Sequence, residues 1–491
     1  MPTFVNMEPL QTNLFINNEY VPSSTKEMLT IHNPKDDSLV TDKVQAASER
    51  DVDKAVAAAK AAFPGWKHTP SSKRSAIMLK YADLVEQHSN KIAHLESISM
   101  GQPIWLAKAI VGMQVASWRY YAGFTDKIPG ETYPENGDGV FKMVNYEPLG
   151  VCAGISAWNG TQFSVARKIA PAVAVGNTYI FKSSEKSPLG VLYLGKLFKE
   201  AGFPPGVVNL LSGSGRVGAL LASHMEINHI TFTGSASSGR QVQIAAAKSN
   251  LKHVILELGG KSPAIIFNDA NLNNAVAHNS RGFLLNSGQI CMAGSRILVQ
   301  SGIAPKFIEA LKAAFIKLND LLADPALDST YLGPLADKAQ FERVVSYLEG
   351  AKKDGIEVLT GGGRKGDSGR FVEPTILMNP DVTAKVYTEE IFGPVVVIKT
   401  FETEKEAIEM ANNTSYGLGA TVYTNDITRA LRVTAELEAG TITVNSVHRI
   451  VPETPFGGKK QSGYGREGGF EGIKIFLEAK TVQINMTMPE D

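Results

Sequence analysis

A thiolate attacks carbonyl carbon readily and a carboxylate can activate water, so a cysteine and a glutamate in one site suit covalent acyl chemistry. This chain offers both. Cys291 lies in Asn286-Ser287-Gly288-Gln289-Ile290-Cys291-Met292-Ala293-Gly294-Ser295-Arg296, and Glu257 lies upstream in Val254-Ile255-Leu256-Glu257-Leu258-Gly259-Gly260-Lys261-Ser262-Pro263. A free cysteine ordinarily packs as a small hydrophobe. The second cysteine, Cys152, reads that way, because Leu149-Gly150-Val151-Cys152-Ala153-Gly154-Ile155 is an apolar, strand-like run. Around Cys291 the residues are small or polar: Gly288, Ala293, Gly294 and Ser295 leave room for a substrate and for backbone N–H groups.

Other chemistries have less to stand on. The nine histidines form no H-E-x-x-H and there is no C-x-x-C, so no metal site is expected. A cysteine–histidine hydrolase would need a histidine beside Cys291, for which His253 and His448 are the formal candidates. Lys+Arg and Asp+Glu both number 49, so no net charge draws the chain to nucleic acid or an acidic membrane. With 43% hydrophobic and 20% charged residues in 491, it reads as an ordinary globular protein of more than one domain. Two cysteines cannot build a disulfide framework, which points to a reducing compartment. The first thirty residues lack a basic start, an unbroken apolar run and any arginine, and Met488-Pro489-Glu490-Asp491 carries no sorting signal. The expected location is the cytoplasm.

The elements that must position these groups follow in chain order. Asn13 to Val21 predicts a hairpin turning at Asn17-Asn18. Helices are predicted over 49–63 with Ser48 as N-cap, then over 71–87, 90–100 and 104–124. Residues 130–150 change character: Phe141 to Tyr146 reads as a ribbon turning at Gly137-Asp138-Gly139, either an assembly element or a surface hairpin. From Val151 the pattern alternates strand and helix: strands at 151–157, 178–182, 207–211 and 230–233, helices at 162–175, 188–201, 217–223 and 237–248. Ser187, Pro188 and Gly202 look like N-cap, N1 and C′ of one helix. Such alternation implies a parallel sheet covered by helices, with ligands beyond the carboxyl ends of its strands.

Those ends carry Trp158-Asn159, Lys182 and Gly234-Ser235. Lys182-Ser183-Ser184-Glu185 offers a cation and a carboxylate suited to ribose hydroxyls, or a solvated pair. Phe232-Thr233-Gly234-Ser235-Ala236-Ser237-Ser238-Gly239 departs from G-x-G-x-x-G, yet puts backbone N–H groups and a helix N-terminus where a pyrophosphate could sit. After Gly260 a second α/β unit is expected. It has a strand at 264–267, a helix at 270–285 leading to Cys291, and a helix at 305–321 with Phe307, Leu311 and Phe315 on one face. A final strand over 481–486 reads as an edge that pairs with another chain.

Together the motifs resemble the NAD(P)-dependent aldehyde dehydrogenase superfamily from about Asn13 to Met486. The segments that carry the likeness are Ala157-Trp158-Asn159, Lys182-Ser183-Ser184-Glu185, Phe232-Thr233-Gly234-Ser235, Glu257-Leu258-Gly259-Gly260-Lys261, Gly288-Gln289-Ile290-Cys291, Glu390-Ile391-Phe392-Gly393-Pro394 and Pro455-Phe456-Gly457-Gly458. The resemblance implies an α/β fold: a Rossmann-like NAD-binding domain (1–129 and 149–259), an α/β catalytic domain (260–465) and a small β oligomerisation element (130–148 and 466–491). It implies Cys291 as nucleophile, Asn159 as oxyanion donor and Glu257 as the base that hydrolyses a thioester. It implies cofactor contacts from Ser156, Trp158, Lys182, Glu185, Gly215, Phe232, Gly234, Ser235, Leu258, Glu390 and Phe392. Glu185 would hydrogen-bond a free 2′-hydroxyl and repel a 2′-phosphate, which favours NAD over NADP. A homodimer or homotetramer is implied.

One departure concerns the substrate. Many family members follow the asparagine with an apolar residue and proline; here the run is Gly160-Thr161-Gln162. The helix then presents Phe163 and Arg167 on one face. An arginine there resembles members that oxidise aromatic aldehydes such as salicylaldehyde or vanillin, and otherwise reads as a helix arginine paired with a local acid. Gly160, Phe163, Arg167, Ile290, Met292, Ile450 and Phe456 are the expected substrate contacts, with Leu285, His448 and Arg449 as further tunnel residues. No anionic or aromatic cage for a trimethylammonium substrate is evident. A broad aliphatic or semialdehyde oxidiser, a thiol hydrolase and a non-catalytic binding protein are the alternatives.

Overall fold

The computed structural model describes residues 9–487; the C-terminal reading at 488–491 and the first eight residues lie outside them. The chain opens with two hairpins, β1 (Leu14–Ile16) to β2 (Glu19–Val21) and β3 (Met28–His32) to β4 (Leu39–Gln45). The first turns through Asn17 and Asn18, both at positive φ (56° and 63°). Such a turn matches the right-handed twist of its strands. The second hairpin turns through Asn33-Pro34-Lys35-Asp36-Asp37, an Asn-Pro turn signal missed in the sequence, with Asp37 at φ 62°.

Four helices follow: α1 (Glu49–Lys67), α2 (Ser71–Gln87), α3 (Ser89–Met100) and α4 (Ile104–Ala122). Ser48 caps α1 as expected and forms a reciprocal box with Asp51. Then come β5 (Glu131–Tyr133) and β6 (Val140–Pro148), and the alternating series β7 (Val151–Ile155), α5 (Thr161–Ala174), β8 (Thr178–Lys182), α6 (Leu189–Ala201), β9 (Val208–Leu211), α7 (Gly215–Ser223), β10 (His229–Thr233), α8 (Ala236–Lys248) and β11 (His253–Glu257). Ser187 does not cap α6. Pro188 precedes its first residue, and the Ser187 hydroxyl is spent on Thr161, 2.6 Å away. Gly202 does end α6 in the left-handed conformation.

The remaining elements are β12 (Pro263–Ile266), α9 (Leu272–Ala277), β13 (Arg296–Gln300), α10 (Ala304–Asn319), α11 (Lys338–Lys353), β14 (Glu357–Thr360), β15 (Thr375–Met378), α12 (Lys385–Thr388), β16 (Val395–Phe401), α13 (Glu404–Asn412), β17 (Gly419–Tyr423), α14 (Ile427–Glu436), β18 (Thr441–Val444), β19 (Gly463–Tyr464), α15 (Glu471–Lys474) and β20 (Leu477–Asn485). Phe307, Leu311 and Phe315 on α10 are all fully buried, as their spacing required. Each such side chain contributes ~1.5–3 kcal/mol by leaving water.

Two sheets organise the molecule. The first has the order β19-β11-β10-β7-β8-β9-β1-β2, with β11 to β9 mutually parallel. Helices cover both of its faces: Tyr81, Trp118, Val165 and Phe198 fill one side, and Val52, Ala59, Val217 and Leu256 the other. Cys152 lies in the first of these cores, where burial pushes its thiol far up, so it packs as an apolar residue. Register aligns the strand ends, with Thr233 opposite Glu257 and Ile155 opposite Lys182. The polar residues that follow these strands therefore share one rim. The second sheet, β14-β15-β16-β13-β12-β17-β18, is parallel except at β14. A three-stranded sheet, β20-β6-β5, stands apart. Its last strand pairs along its whole length with β6 of the same chain rather than serving only another chain, although its outer edge is free. Among the described residues no helix is long and apolar enough to cross a membrane.

Candidate active site

The segment before Cys291 departs from the expected continuous helix over 270–285. After α9 it becomes a π-helix at His278–Gly282 and then a 3-10 turn at Leu285–Gly288. Asn279 and Ser280 hydrogen-bond back to the carbonyls of Ala275 and Val276 (2.8 and 2.7 Å), which competes with the α ladder. Asn286 and Ser287 then take left-handed backbones, with φ of 51° and 55°. Such residues persist only where their surroundings hold them. Ser287 donates to the carbonyl of Gly333 at 2.6 Å, and Asn286 contacts the carbonyls of Asn159 and Gln289. This bend turns Cys291 into the cleft beyond the first sheet. On the other side Arg296, fully buried, donates to the carbonyls of Lys261, Met410 and Ala411.

Cys291, Glu257 and Asn159 line one cleft. The Asn159 amide donates to the carbonyl of Gln289 at 3.0 Å, which leaves its second N–H for a ligand. Burial pushes the Cys291 thiol up to about 12, Glu390 and Glu257 add to the rise, and backbone N–H groups of Met292 and Cys291 oppose it. Glu257 ends β11 with both carboxylate oxygens buried and without hydrogen-bond partners. Burial and then Glu467 raise its pKa well above the carboxylate range, against Arg167, Lys168 and Arg466. A carboxyl raised in this way is held as the neutral acid by its surroundings, and once ionised it is a stronger base than an ordinary carboxylate. The glycine of the Pro455-Phe456-Gly457-Gly458 motif now has a reason: a Cβ on Gly457 would sit 2.7 Å from Glu257 Oε1.

Trp158, Gly234, Ser235, Leu258, Glu390 and Phe392 line the same cleft, which encloses about 190 Å³. Ser235 caps α8 by accepting from Ser238 N–H, so the helix N-terminus faces the cleft. Trp158 and Phe392 meet edge to face at 5.3 Å. Glu390 accepts from the Gly260 N–H at 2.9 Å, and a Cβ on Gly259 would fall 2.2 Å from its carboxylate. Burial lifts Glu390 to about 7, against Gly260, Lys261 and Arg343. A positive helix end, aromatic edges and a carboxylate in this order fit a dinucleotide: pyrophosphate at Ser235, ribose hydroxyls at Glu390 and a flat ring between Phe392 and Cys291.

Gln340 and Arg343 also line this cleft and were missed in the sequence. Gln340 donates to the carbonyl of Phe392 at 2.7 Å and Arg343 to that of Glu390 at 2.7 Å. They hold Phe392 in a left-handed backbone with φ 61°. The signal present was the N-cap Asp337 accepting from Gln340 N–H, which marks a helix start but not what the helix faces.

Ser156, Lys182, Glu185, Gly215 and Phe232 lie outside the lining of this cleft. Ser156 and Phe232 are buried in the sheet rim, and Gly215 starts α7. Lys182 and Glu185 face each other at 3.5 Å, and Glu185 borders a neighbouring groove with Lys186, Asp337 and Arg370. On α5, Arg167 is 5% exposed and lies between the rings of Phe163 and Phe456, each centred 5.1 Å from its guanidinium carbon. Its partner is Glu467, distant in sequence: Nη2 donates to the Glu467 carbonyl at 2.5 Å, and Nε lies 3.9 Å from the carboxylate. Lys168 bonds that carboxylate at 2.6 Å. Arg167 Nε and Nη1 have no hydrogen-bond partner. Gly160 borders open space, and Ile450 is partly buried in the loop before Phe456. Ile290 and Met292 line a second cavity with Leu285, Tyr423 and His448. Of the two histidines weighed as partners of Cys291, His448 lies in that cavity and His253 begins β11, at the far end of the strand from Glu257. Among the described residues no three-ligand metal cluster occurs.

The family model described as "Aldehyde dehydrogenase family" matches residues 20–482. An aldehyde dehydrogenase of Emericella nidulans is 44% identical over 99% of this chain and 97% of its own. The human retinal dehydrogenase 2 is 42% identical over 98% and 93%. A crystal structure of betaine aldehyde dehydrogenase from Staphylococcus aureus in complex with NAD⁺ superposes with a TM-score of 0.95 at 35% identity, covering 98% of this chain and 96% of that one. With a matching sequence and fold, the chain belongs to the aldehyde dehydrogenase family.

Proposed function

We propose that this enzyme oxidises an aromatic or otherwise hydrophobic aldehyde to its carboxylic acid with NAD, through a covalent adduct on Cys291. The thiol first gives up its proton to water, and its sulfur bonds to the aldehyde carbon to form a thiohemiacetal. The free N–H of Asn159 and the backbone N–H of Cys291 stabilise the oxygen as it gains charge. Bound NAD supplies the acceptor for the hydride that this adduct loses. Cys291 is left as a thioester. Glu257, once ionised, takes a proton from water; the hydroxide oxygen bonds to the acyl carbon, the carbon–sulfur bond breaks, and acid and thiolate leave. Burial and Glu467 hold Glu257 towards the neutral acid, and Arg167 and Lys168 ease its ionisation.

The substrate class rests on Arg167. Burying a guanidinium with two nitrogens, Nε and Nη1, unmet is costly, and a ring hydroxyl or carboxylate would satisfy them. Phe163 and Phe456 add apolar faces. The same cation opposes a trimethylammonium substrate. NADH formation across salicylaldehyde, vanillin, benzaldehyde, hexanal, succinic semialdehyde and betaine aldehyde tests this. A preference for hydroxylated aromatic aldehydes supports it; a preference for aliphatic chains or semialdehydes keeps the enzyme class and removes Arg167 from substrate recognition.

Glu185 at the Lys182 loop favours NAD over NADP. The cofactor domain is 1–129 with 149–259, the catalytic domain 260–465, and the oligomerisation element 130–148 with 466–491. The free outer edge of β20 in that element suits pairing in a homodimer or homotetramer, which sedimentation would detect. A cytoplasmic location agrees with the two unpaired cysteines.

A further inference from the structure

We propose that the buried carboxylic acid of Glu96 and the side-chain amide of Gln162 form an acid–amide pair that holds the first turn of α5 and so fixes Asn159 for its contact with the reacting oxygen. Both are positioning residues, and the inference rests on the reading of Asn159 as oxyanion donor.

The segment that carries Asn159 has reason to need an anchor. It continues as Gly160-Thr161-Gln162, where the missing proline would have stiffened the helix start. Gly160 is the N-cap, its side-chain position opens on empty space, and no side chain caps the helix. The next two residues are instead tied inward. Thr161 and Gln162 are each 1% exposed. Thr161 Oγ1 meets Ser187 Oγ at 2.6 Å and the carbonyl of Trp158 at 3.1 Å. Gln162 Nε2 donates to Glu96 Oε1 at 2.7 Å.

Glu96 comes from α3 and is 3% exposed. Gly190 on α6 closes over it: a Cβ there would lie 2.3 Å from Glu96 Oε1 and 2.5 Å from Gln162 Nε2. No charged group on α2, α4, α6 or β3, the elements packed on α3, acts on this carboxyl; burial raises it to about 8 and the Gln162 bond alone opposes the rise. At neutral pH the carboxyl therefore keeps its proton. Gln162 Oε1 is buried without a hydrogen-bond partner, and the proton of the neutral Glu96 acid is the donor this pairing assigns to it. A two-point pair of this kind fixes the amide plane as well as its distance, which a single bond would not.

Purified variants test the pair. The readouts are kcat/KM for an aldehyde at saturating NAD, the Kd for NAD, and Tm against pH. Glu96→Leu and Gln162→Leu should each lower kcat/KM about ten-fold with NAD affinity unchanged, and Glu96→Gln, which can still form a paired amide, should restore it at neutral pH. Above pH 8 the wild type should lose activity that Glu96→Gln retains. In an Asn159→Ala background Gln162→Leu should add nothing, since its effect runs through Asn159. Equal losses in both backgrounds would overturn the proposal, as would identical alkaline profiles for wild type and Glu96→Gln. Should Gln162→Leu fail to fold, Glu96→Gln still decides. A folded carboxyl that stays protonated to about 8 makes the Tm of the wild type fall relative to Glu96→Gln as pH rises from 4.5 to 8; a constant difference would also overturn the pair. If Asn159→Ala itself costs less than three-fold, the oxyanion reading fails, and the Tm comparison still reports on Glu96 and Gln162.

Discussion

Replacing Glu257 with glutamine separates the two halves of the proposed reaction. The change is nearly isosteric, and both carboxylate oxygens lack hydrogen-bond partners, so no bond in the fold is broken. Gly457 leaves the same space for the amide. What is lost is the base for thioester hydrolysis, which is worth ~10²–10⁴-fold, or ~3–5 kcal/mol. Addition of Cys291 and loss of hydride come earlier and should persist if another group takes the thiol proton. On rapid mixing with aldehyde and NAD, Glu257→Gln should give one NADH per site and then a turnover slowed at least ~100-fold. Intact mass should show the acyl group on the chain, and Cys291→Ala should abolish the burst. Because the Glu257 pKa is raised, the ionised base gains population as pH rises, so wild-type hydrolysis should quicken from acid towards neutral pH and beyond. A steady rate within three-fold of wild type would refute Glu257 as the base. Loss of the burst as well as turnover would instead assign it to the thiol proton.

Other consequences follow from the same geometry. Asn159→Ala removes the free N–H and should cost ~3 kcal/mol in kcat/KM, about 150-fold, with NAD binding unchanged in a direct titration. Glu467→Gln leaves Lys168 and Arg167 buried without their carboxylate, and should destabilise the fold by ~3–5 kcal/mol in denaturant unfolding. It should also shift the Glu257 limb of the pH–rate profile to lower pH, because Glu467 is the charge that raises it. Glu185→Ala should improve NADP use relative to NAD by about ten-fold, the scale of ~1–2 kcal/mol for one exposed charge near a 2′-phosphate, as measured by the ratio of kcat/KM values.

Local chemistry made most of this fold legible. The alternation from Val151 onward, the hairpin at Asn17-Asn18 and the stripe on α10 each follow from spacing and turn type alone, and the proposed catalytic residues sit in short motifs, Asn159 and Glu257 at strand ends and Cys291 after a helical turn. What stayed hidden depends on contacts far apart in sequence. Ser187 has every feature of an N-cap, yet Thr161 claims its hydroxyl. The run 270–285 has the composition of one helix, but Asn279 and Ser280 draw carbonyls away from the ladder and the last turn must bend to aim Cys291. The alternative reading of Arg167 pairs it with a local acid, whereas the acid it meets, Glu467, lies 300 residues away. Gln340 and Arg343 belong to an ordinary amphipathic helix whose facing side only the folded cleft defines.

The charge balance behind the cleft explains why these distant residues must come together. Arg167 and Lys168 are neighbours on α5, and both are buried. Two unpaired cations there would cost several kcal/mol. Glu467 compensates one charge, and its own carbonyl and amide bridge Phe456, which fixes the loop beside Gly457. The second charge is met only when Glu257 ionises, or when a substrate brings an acidic group to Arg167. In the first case burial and Glu467 favour the neutral acid while Arg167 and Lys168 favour the ionised base, with the balance on the side of the acid. In the second an anionic substrate would compete with Glu257 for the same cation and raise its pKa further. Substrates with a carboxylate should then show slower thioester hydrolysis at neutral pH than uncharged aldehydes of the same size, and the difference should shrink as pH rises.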